Sequence, residues 1–179
     1  MSPTSPAHTR LRAASADDHM RVDGCFPQGL DDVAAYRRYL RGMHALLVAL
    51  ADADAGLAQA YAHHRMLLET DMAALSMAPL AAPQAPRIDD DASRLGARYV
   101  IEGSAMGARL LLRQAMALGF DRESGVRFLA YHAEQGGAQW PHFKQQLASQ
   151  DPADPGFARL IQTTCDTFAL AARCLGGDA

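Results

Sequence analysis

Three scarcities in this sequence exclude whole classes of protein. The chain has 179 residues and only three cysteines, none of them in a C-x-x-C spacing. We therefore expect reduced thiols rather than a disulfide framework or a thiolate metal site. The sequence contains no apolar run of the roughly 18–20 residues that a membrane-spanning helix needs. Its first residues are polar and rich in proline and serine, unlike a signal peptide, so we expect a cytoplasmic protein without membrane contact.

Aromatic residues and net charge are scarce as well. Aromatics make up 7% of the chain against 49% hydrophobic residues, and the abundant alanine and leucine favour helices over sheets. A formal net charge of −3 gives no indication of nucleic-acid binding. A chain of this length can bury one core. The sequence therefore predicts a single all-α domain at residues 9–176, preceded by a disordered lead-in at residues 1–8.

The most informative stretch is a long amphipathic helix, predicted over residues 94–114, with two glycines at its centre. Gly103 and Gly107 lie four residues apart on one face of this helix. Each interior glycine costs roughly 0.5–1 kcal/mol relative to alanine, so some other interaction should offset the loss. Two explanations stay open at this point. Either the glycines allow close packing of another helix, or a flat ligand lies across the bare backbone of a helix kinked at Gly103 and Ser104.

A first helix, predicted over residues 9–23 with Thr9 as its N-cap, carries a row of polar side chains. Arg12, Ser15 and His19 lie at i, i+3 and i+7, and Asp23 continues their face one turn later. This arrangement suits an axial heme ligand. His19 would bind iron, Asp23 would accept a hydrogen bond from the other ring nitrogen, and Arg12 would reach a propionate. A single histidine is more often a core or solvated residue, so the spacing alone does not decide.

The other elements follow from periodicity and helix breakers. Helices are predicted at residues 33–51, 57–77 and 157–175. Residues 125–132 are predicted as a short helix or ordered turn, followed by a flexible Gln-Gly-Gly at 135–137. A further helix begins at residue 138, with Pro141 in its first turn. We interpret His63 and His64 as surface residues, because adjacent side chains on a helix diverge too far to bind one metal ion.

Three blocks of the sequence together resemble the heme oxygenase family. The first helix resembles its proximal pattern Leu-basic-x-x-Thr/Ser-x-x-x-His-x-x-x-acidic, with Ser15 in place of the more usual threonine. Residues 102–107, Glu-Gly-Ser-x-x-Gly, resemble its distal helix. The third block is Gly-x-x-Phe-Leu at 125–129, then a glycine-rich turn and Trp-x-x-Phe-x-x-x-Leu at 140–147. The bacterial enzymes that supply biliverdin to bacteriophytochromes are the most similar branch.

The resemblance implies a heme oxygenase-like multi-helix fold in which heme is sandwiched between a proximal helix and a kinked distal helix. It implies that His19 is the iron ligand and that the distal glycines let the backbone lie close to the ring. Ser104 would anchor a water or cap the kink, unless its hydroxyl only bonds back to the helix. The implied catalytic residues are Gly103, Ser104 and Gly107, and the implied heme contacts are Arg12, Ser15, His19, Asp23, Tyr99, Gly103, Gly107 and Phe168.

The resemblance also implies an activity and partners. Heme, as both cofactor and substrate, is cleaved to biliverdin, CO and ferrous iron with O2 and an external donor such as a ferredoxin or a flavoprotein reductase. The product would supply the chromophore of a bacteriophytochrome. Three alternatives stay open: a heme carrier of the same fold, a heme oxygenase for iron acquisition, and a scaffold whose glycines only pack. A second basic partner for the propionates is also open between Lys144 and Arg127.

Overall fold

The chain folds into helices only, within the residues that the computed structural model describes, 5–177. In chain order they are α1 (Pro6–Ala14), α2 (Ala16–Asp23), α3 (Val33–Ala53), α4 (Ala55–Ala60), α5 (Ala62–Ala74), α6 (Asp91–Ala117), α7 (Arg127–Ala148) and α8 (Pro155–Gly176). The predicted all-α class is confirmed. Over residues 5–177, no helix is both long enough and apolar enough to cross a membrane.

The predicted first helix is two helices separated by a turn. Ser5 caps α1 by accepting a hydrogen bond from the His8 N–H at 3.2 Å, and Pro6 occupies the first turn. The helix therefore begins before the predicted cap at Thr9, and residues 5–8 belong to it or to its cap rather than to a disordered lead-in. Residues 1–4 lie outside the described residues. At Ser15 the backbone leaves helical geometry, with φ −107° and ψ 9°, and α2 follows.

The predicted break at residues 135–137 is wrong, because α7 runs through them without interruption and Pro141 lies well inside the helix. The physical reason is at Gly136. A Cβ atom added there would lie 2.5 Å from the Cβ of Ala105 on α6, which is closer than two such atoms can approach. The glycine therefore serves a close crossing of α6 and α7 rather than a flexible turn.

Two more glycines serve close helix packing. A Cβ on Gly96 of α6 would lie 2.6 Å from the carbonyl oxygen of Leu160 on α8, and the Thr164 hydroxyl donates to the Gly96 carbonyl at 3.2 Å. A Cβ on Gly42 of α3 would lie 2.7 Å from the carbonyl oxygen of Cys174, also on α8. Together with Gly136, these glycines mark the points where helix backbones nearly touch.

The buried apolar side chains form two clusters. The larger surrounds α3, whose inner face includes the fully buried Tyr36, Leu40 and Leu50. The smaller joins α1, α6, α7 and α8. Its members are Ala7, Leu11, Tyr99, Val100, Phe143, Leu147, Phe157, Leu160 and Phe168. This smaller cluster holds together the helices that carry the predicted distal residues, and α1 leads directly into the helix of His19.

A buried carboxylate on α5 caps the start of α7. Asp71 is fully buried, and its two oxygens accept hydrogen bonds from the backbone N–H groups of Arg127 at 3.1 Å and Phe128 at 2.9 Å. Burial raises the pKa of the Asp71 carboxyl, while these donors and the Arg127 charge oppose that shift. The residue at the cap position itself, Val126, offers no side-chain acceptor, so the cap comes from a distant part of the sequence.

We expect Asp71→Ala to lower the free energy of unfolding by about 2–4 kcal/mol, because two buried N–H groups lose their acceptor. Asp32→Ala is the matched control. The Asp32 side chain caps α3 on the exposed surface, accepting from the Ala35 N–H at 2.6 Å, and its loss should cost about 1 kcal/mol. Urea unfolding followed by circular dichroism measures both. Equal losses in the two variants would contradict a special role for the buried cap.

Candidate functional site

His19 and Asp23 meet as the first-helix spacing predicts. The imidazole Nδ1 of His19 lies 3.1 Å from a carboxylate oxygen of Asp23, one turn later on α2. Both side chains are more than half exposed. With Nδ1–H donating to the carboxylate, Nε2 carries the lone pair that a metal ligand needs. The Nε2 atom of His19 has no hydrogen-bond partner among residues 5–177.

Arg12 borders an open cleft. Thr9, Arg12, Ala13 and Ala16 line a cleft of about 340 Å³ at the junction of α1 and α2. Ser15 does not share this exposed surface. It is buried, and its hydroxyl donates to the carbonyl of Leu11 at 3.0 Å. The predicted row of Arg12, Ser15 and His19 is therefore split, because the turn at Ser15 rotates that side chain into the protein.

The two glycines at the centre of α6 are not crowded by the protein. A Cβ on Gly107 would meet no atom within 4 Å, and one on Gly103 would meet only the Trp140 ring, at an ordinary contact distance of 3.9 Å. Close packing therefore explains Gly42, Gly96 and Gly136 but not this pair. α6 is one continuous helix through them, so a kink at this point involves no break in its helical turns.

Large apolar side chains next to these features are exposed. Met106 and Leu110, which share the helix face of the two glycines, are 60% and 54% exposed. Met20, adjacent to His19 on α2, is 61% exposed. Most methionine and leucine side chains of this size are buried in a folded domain. Covering such side chains with an apolar ligand is favourable, at roughly 25 cal/mol per Å² of apolar surface.

Phe168 connects the helix of His19 to the helix of the glycines. Its ring centroid lies 5.4 Å from that of His19 and 6.4 Å from that of Tyr99, both in edge-to-face geometry. Tyr99 precedes Gly103 by one turn of α6. The structure thus brings His19, Phe168 and Tyr99 together, as a common site requires.

Positive charge gathers at the Tyr99 end of the site. The pKa of His8 is lowered by burial and then by the charges of Lys144 and Arg12. The His8 ring packs 6.1 Å from Tyr99 and 5.8 Å from Trp140, measured between centroids. Sequence reasoning missed His8. Recognising the Ser-Pro helix start would have found it, because His8 then precedes Arg12 by one helical turn.

Of the two cations left open by the sequence, only Lys144 lies in this region. The guanidinium of Arg127 is 3.6 Å from a carboxylate oxygen of Asp71, at the start of α7. Arg127 also lines a separate cleft of about 220 Å³ with His63, Tyr131, Arg122 and Glu134. Of these two cations, Lys144 is therefore the one whose charge acts on His8, the ring that packs against Tyr99.

Behind the glycines, Ser104 contacts a buried histidine that the sequence analysis did not single out. The Ser104 Oγ lies 2.8 Å from the Ile101 carbonyl oxygen and 2.8 Å from His132 Nε2. His132 is 2% exposed, and its ring lies edge-on to His64 at 5.4 Å. The interpretation of His64 as a surface residue is wrong, since it is 5% exposed. Burial lowers the pKa of His132 to about 3 and that of His64 to about 4.

Comparison with known proteins bears on the fold. No protein-family model matches the sequence, and no curated protein does. Among solved structures, the chain is similar to the NO- and CO-bound heme oxygenase from Neisseria meningitidis, with a TM-score of 0.69 and 24% identical residues. The match covers 96% of this chain and 94% of that one. The chain has the heme oxygenase fold. The predicted fold class is therefore confirmed.

We expect Gly107→Ala to raise the free energy of unfolding by roughly 0.5–1 kcal/mol without added ligand, because alanine favours the helix and its Cβ enters open space. Gly96→Ala, on the same helix, is the matched control. It should lower the free energy of unfolding by about 1–3 kcal/mol, because the new Cβ collides with the Leu160 carbonyl. Urea unfolding measures both, and destabilisation by Gly107→Ala would support the packing explanation instead.

Acidification should destabilise the fold through its buried histidines. An unfolded histidine binds a proton near pH 6.5, whereas His132 and His64 stay neutral in the fold until about pH 3 and about pH 4. Below pH 6.5 the unfolded state therefore binds more protons. Stability should then fall with pH by up to about 1.4 kcal/mol per unit for each histidine.

Urea unfolding at a series of pH values between about 7 and 5 measures this slope. His132→Gln should remove one histidine's contribution to it. His142→Gln, which changes an exposed histidine on α7, is the control and should leave the slope nearly as in the native protein. A slope that is insensitive to His132→Gln would contradict the neutral buried state of this residue.

Proposed function

We propose that this protein is a heme oxygenase that cleaves heme to biliverdin, CO and ferrous iron with O2 and an external reductant. The observation that carries the proposal is the uncrowded glycine pair, Gly103 and Gly107, in a chain with the heme oxygenase fold. Heme, when bound, supplies the iron that activates oxygen and the porphyrin ring that is opened. The described residues fit this group, because His19 offers an imidazole nitrogen oriented by Asp23 and the α6 backbone is uncrowded at Gly103 and Gly107.

His19 is proposed as the axial ligand. Its free Nε2 and the Asp23 contact on Nδ1, at 3.1 Å, are what a neutral imidazole ligand requires. Asp23 fixes the ring orientation and raises the basicity of the ligating nitrogen. Phe168, edge-on to the His19 ring, limits its rotation from the other side.

Gly103 and Gly107 are proposed to exclude side chains from the distal ring face. Their missing Cβ atoms leave space that alanine would fill, so the α6 backbone can lie close to a flat ligand. Such close approach restricts a small molecule on that face to one edge of the ring. A flat apolar ligand on this face would cover the exposed side chains of Met106, Leu110 and Met20.

The nearest carboxylate on α6 is held away from this face. Glu102 is 8% exposed, accepts a hydrogen bond from the Tyr61 hydroxyl at 3.0 Å and lies 3.7 Å from Arg98. An acid aimed at the distal face would favour cleavage of an O–O bond, as peroxidases need. With Glu102 engaged by Tyr61 and Arg98, this carboxylate would not act as an acid above the ring, which supports oxygenation over peroxidation.

Arg12, Lys144 and Tyr99 are proposed to bind the two propionates. The charges of both cations act on His8, and Tyr99 packs against the His8 ring. Burial, and then the charges of Lys144 and Arg12, lower the pKa of His8, so this residue would add hydrogen-bonding capacity without competing for the carboxylates. A planar ligand with two carboxylates at one edge would be oriented by this end of the site.

The physiological setting is proposed from the sequence resemblance. The Glu-Gly-Ser-x-x-Gly motif at 102–107 is similar to that of bacterial enzymes that make biliverdin for bacteriophytochromes. We propose that the product supplies such a chromophore in the cytoplasm, with electrons from a ferredoxin or a flavoprotein reductase. Iron acquisition would use the same chemistry for a different purpose.

The direct test is an absorption time course of the purified protein with hemin, followed by ascorbate in air. We expect a Soret band that decays into a broad biliverdin-like absorption. His19→Ala should abolish turnover, because the iron loses its protein ligand. His63→Ala, an exposed histidine on α5, is the matched control and should behave as the native protein. A Soret complex that survives reductant would support a heme carrier, and the absence of any complex would refute both.

A further inference from the structure

The hydroxyl of Ser104 has two partners but only one proton. Its Oγ lies 2.8 Å from the Ile101 carbonyl oxygen, which can only accept a hydrogen bond, and 2.8 Å from His132 Nε2, which can donate or accept. If Nε2 were unprotonated, two acceptors would compete for one hydrogen, and one of these short contacts would be repulsive. Both contacts are satisfied only when Ser104 donates to Ile101 and His132 Nε2–H donates to Ser104.

This proton arrangement leaves the Ser104 hydroxyl with one unused hydrogen-bond acceptor site. A serine hydroxyl has one hydrogen and two lone pairs. The hydrogen is used by Ile101, and one lone pair by His132. The second lone pair remains as an acceptor. Ser104 is exposed and precedes Gly107 by three residues, so this acceptor belongs to the same part of the helix surface as the glycines.

The position of His132 is fixed by packing on several sides. Its ring stacks on Phe128 with an interplanar angle of 16° and a centroid distance of 5.2 Å. One turn later on α7, Gly136 contacts Ala105, which holds α7 against α6 beside Ser104. Burial keeps the imidazole neutral, so it donates from one nitrogen at all ordinary pH values. A residue built into the core in this way has little freedom to release Ser104.

We propose that His132 is a positioning residue, which holds the Ser104 hydroxyl as a hydrogen-bond acceptor toward the glycine face. Ser104 then receives a hydrogen from a water molecule between α6 and the bound ligand. The second hydrogen of that water points to the ligand. The nature of that ligand, heme, rests on the proposed function, whereas the proton arrangement does not.

The proton arrangement is tested on the protein without added ligand. Long-range ¹H–¹⁵N correlation of the imidazole nitrogens identifies which nitrogen of His132 is protonated. We expect the Nε2–H form, and we expect Ser104→Ala to shift the Nε2–H signal and accelerate its exchange with water. An Nδ1–H form, or a signal unaffected by Ser104→Ala, would overturn the proposal whether or not the protein degrades heme.

The consequence at the site is tested by paired variants in the hemin assay. His132→Gln retains an amide donor, whereas His132→Leu retains none. We expect His132→Leu and Ser104→Ala to slow turnover about tenfold, the size of effect for one lost orienting hydrogen bond, and to broaden the distribution of biliverdin isomers. His132→Gln should restore most of both properties. All variants should still form the Soret complex, since none changes a proposed heme contact of α2.

The outcomes separate this proposal from the proposed function. If the native protein does not degrade heme, the proposed function fails and the imidazole measurement still tests the proton arrangement. If the native protein turns over and His132→Leu equals it in rate and isomer distribution, the positioning role is refuted. Equal loss in His132→Leu and His132→Gln would also refute it, because that pattern indicates packing rather than hydrogen bonding. Should His132→Leu not fold, Ser104→Ala, on the exposed surface of α6, carries the same comparison.

Discussion

The close contact of α6 with its neighbours is the constraint on which the site depends. On α8, the Leu160 carbonyl approaches Gly96, and on α7, Gly136 approaches Ala105. The contact at Gly96 lies before the stretch from Gly103 to Gly107, whereas Ala105 lies within it, on the buried side of α6. Together the two contacts hold α6 tightly while leaving its central glycines uncrowded. On α6, glycine therefore serves two purposes: Gly96 allows close contact with α8, and Gly107 leaves open space.

The position of α7 in turn depends on buried polar groups. Asp71 supplies the cap that α7 lacks locally, and α7 carries Trp140 opposite Gly103 and His132 opposite Ser104. Each of these polar groups is satisfied by a specific partner, which makes the arrangement costly to change. A shift of α7 would uncover the Asp71 carboxylate, separate His132 from Ser104 and open the space beside the glycines together. Stability and site geometry are therefore coupled through the same contacts.

The sequence predicted most of the architecture because helical periodicity and capping are local signals. The start of α3 and the pairing of His19 with Asp23 follow from such signals. α6 begins at Asp91, three residues before the predicted start. Three features depended on tertiary contacts and could not be read from spacing. The turn at Ser15, the uninterrupted α7 at Gly136 and the burial of His64 and His132 reflect what packs against each residue. The sequence alone does not distinguish a glycine that permits a close helix crossing, such as Gly136, from one that leaves open space, such as Gly107.

The side chains around the glycine face of α6 change along the helix in an order that would orient the proposed ligand. At the Tyr99 end, Arg12 and Lys144 provide positive charge, and His8 stays neutral beside them. One turn further the helix is bare at Gly103, and beyond Gly107 the exposed Leu110 is apolar. In the proposed function, this order would place the anionic edge of a flat ligand at the Tyr99 end and its apolar edge near Leu110. The neutral His132 completes it, since a charged imidazole behind Ser104 would attract the anionic edge to the wrong end.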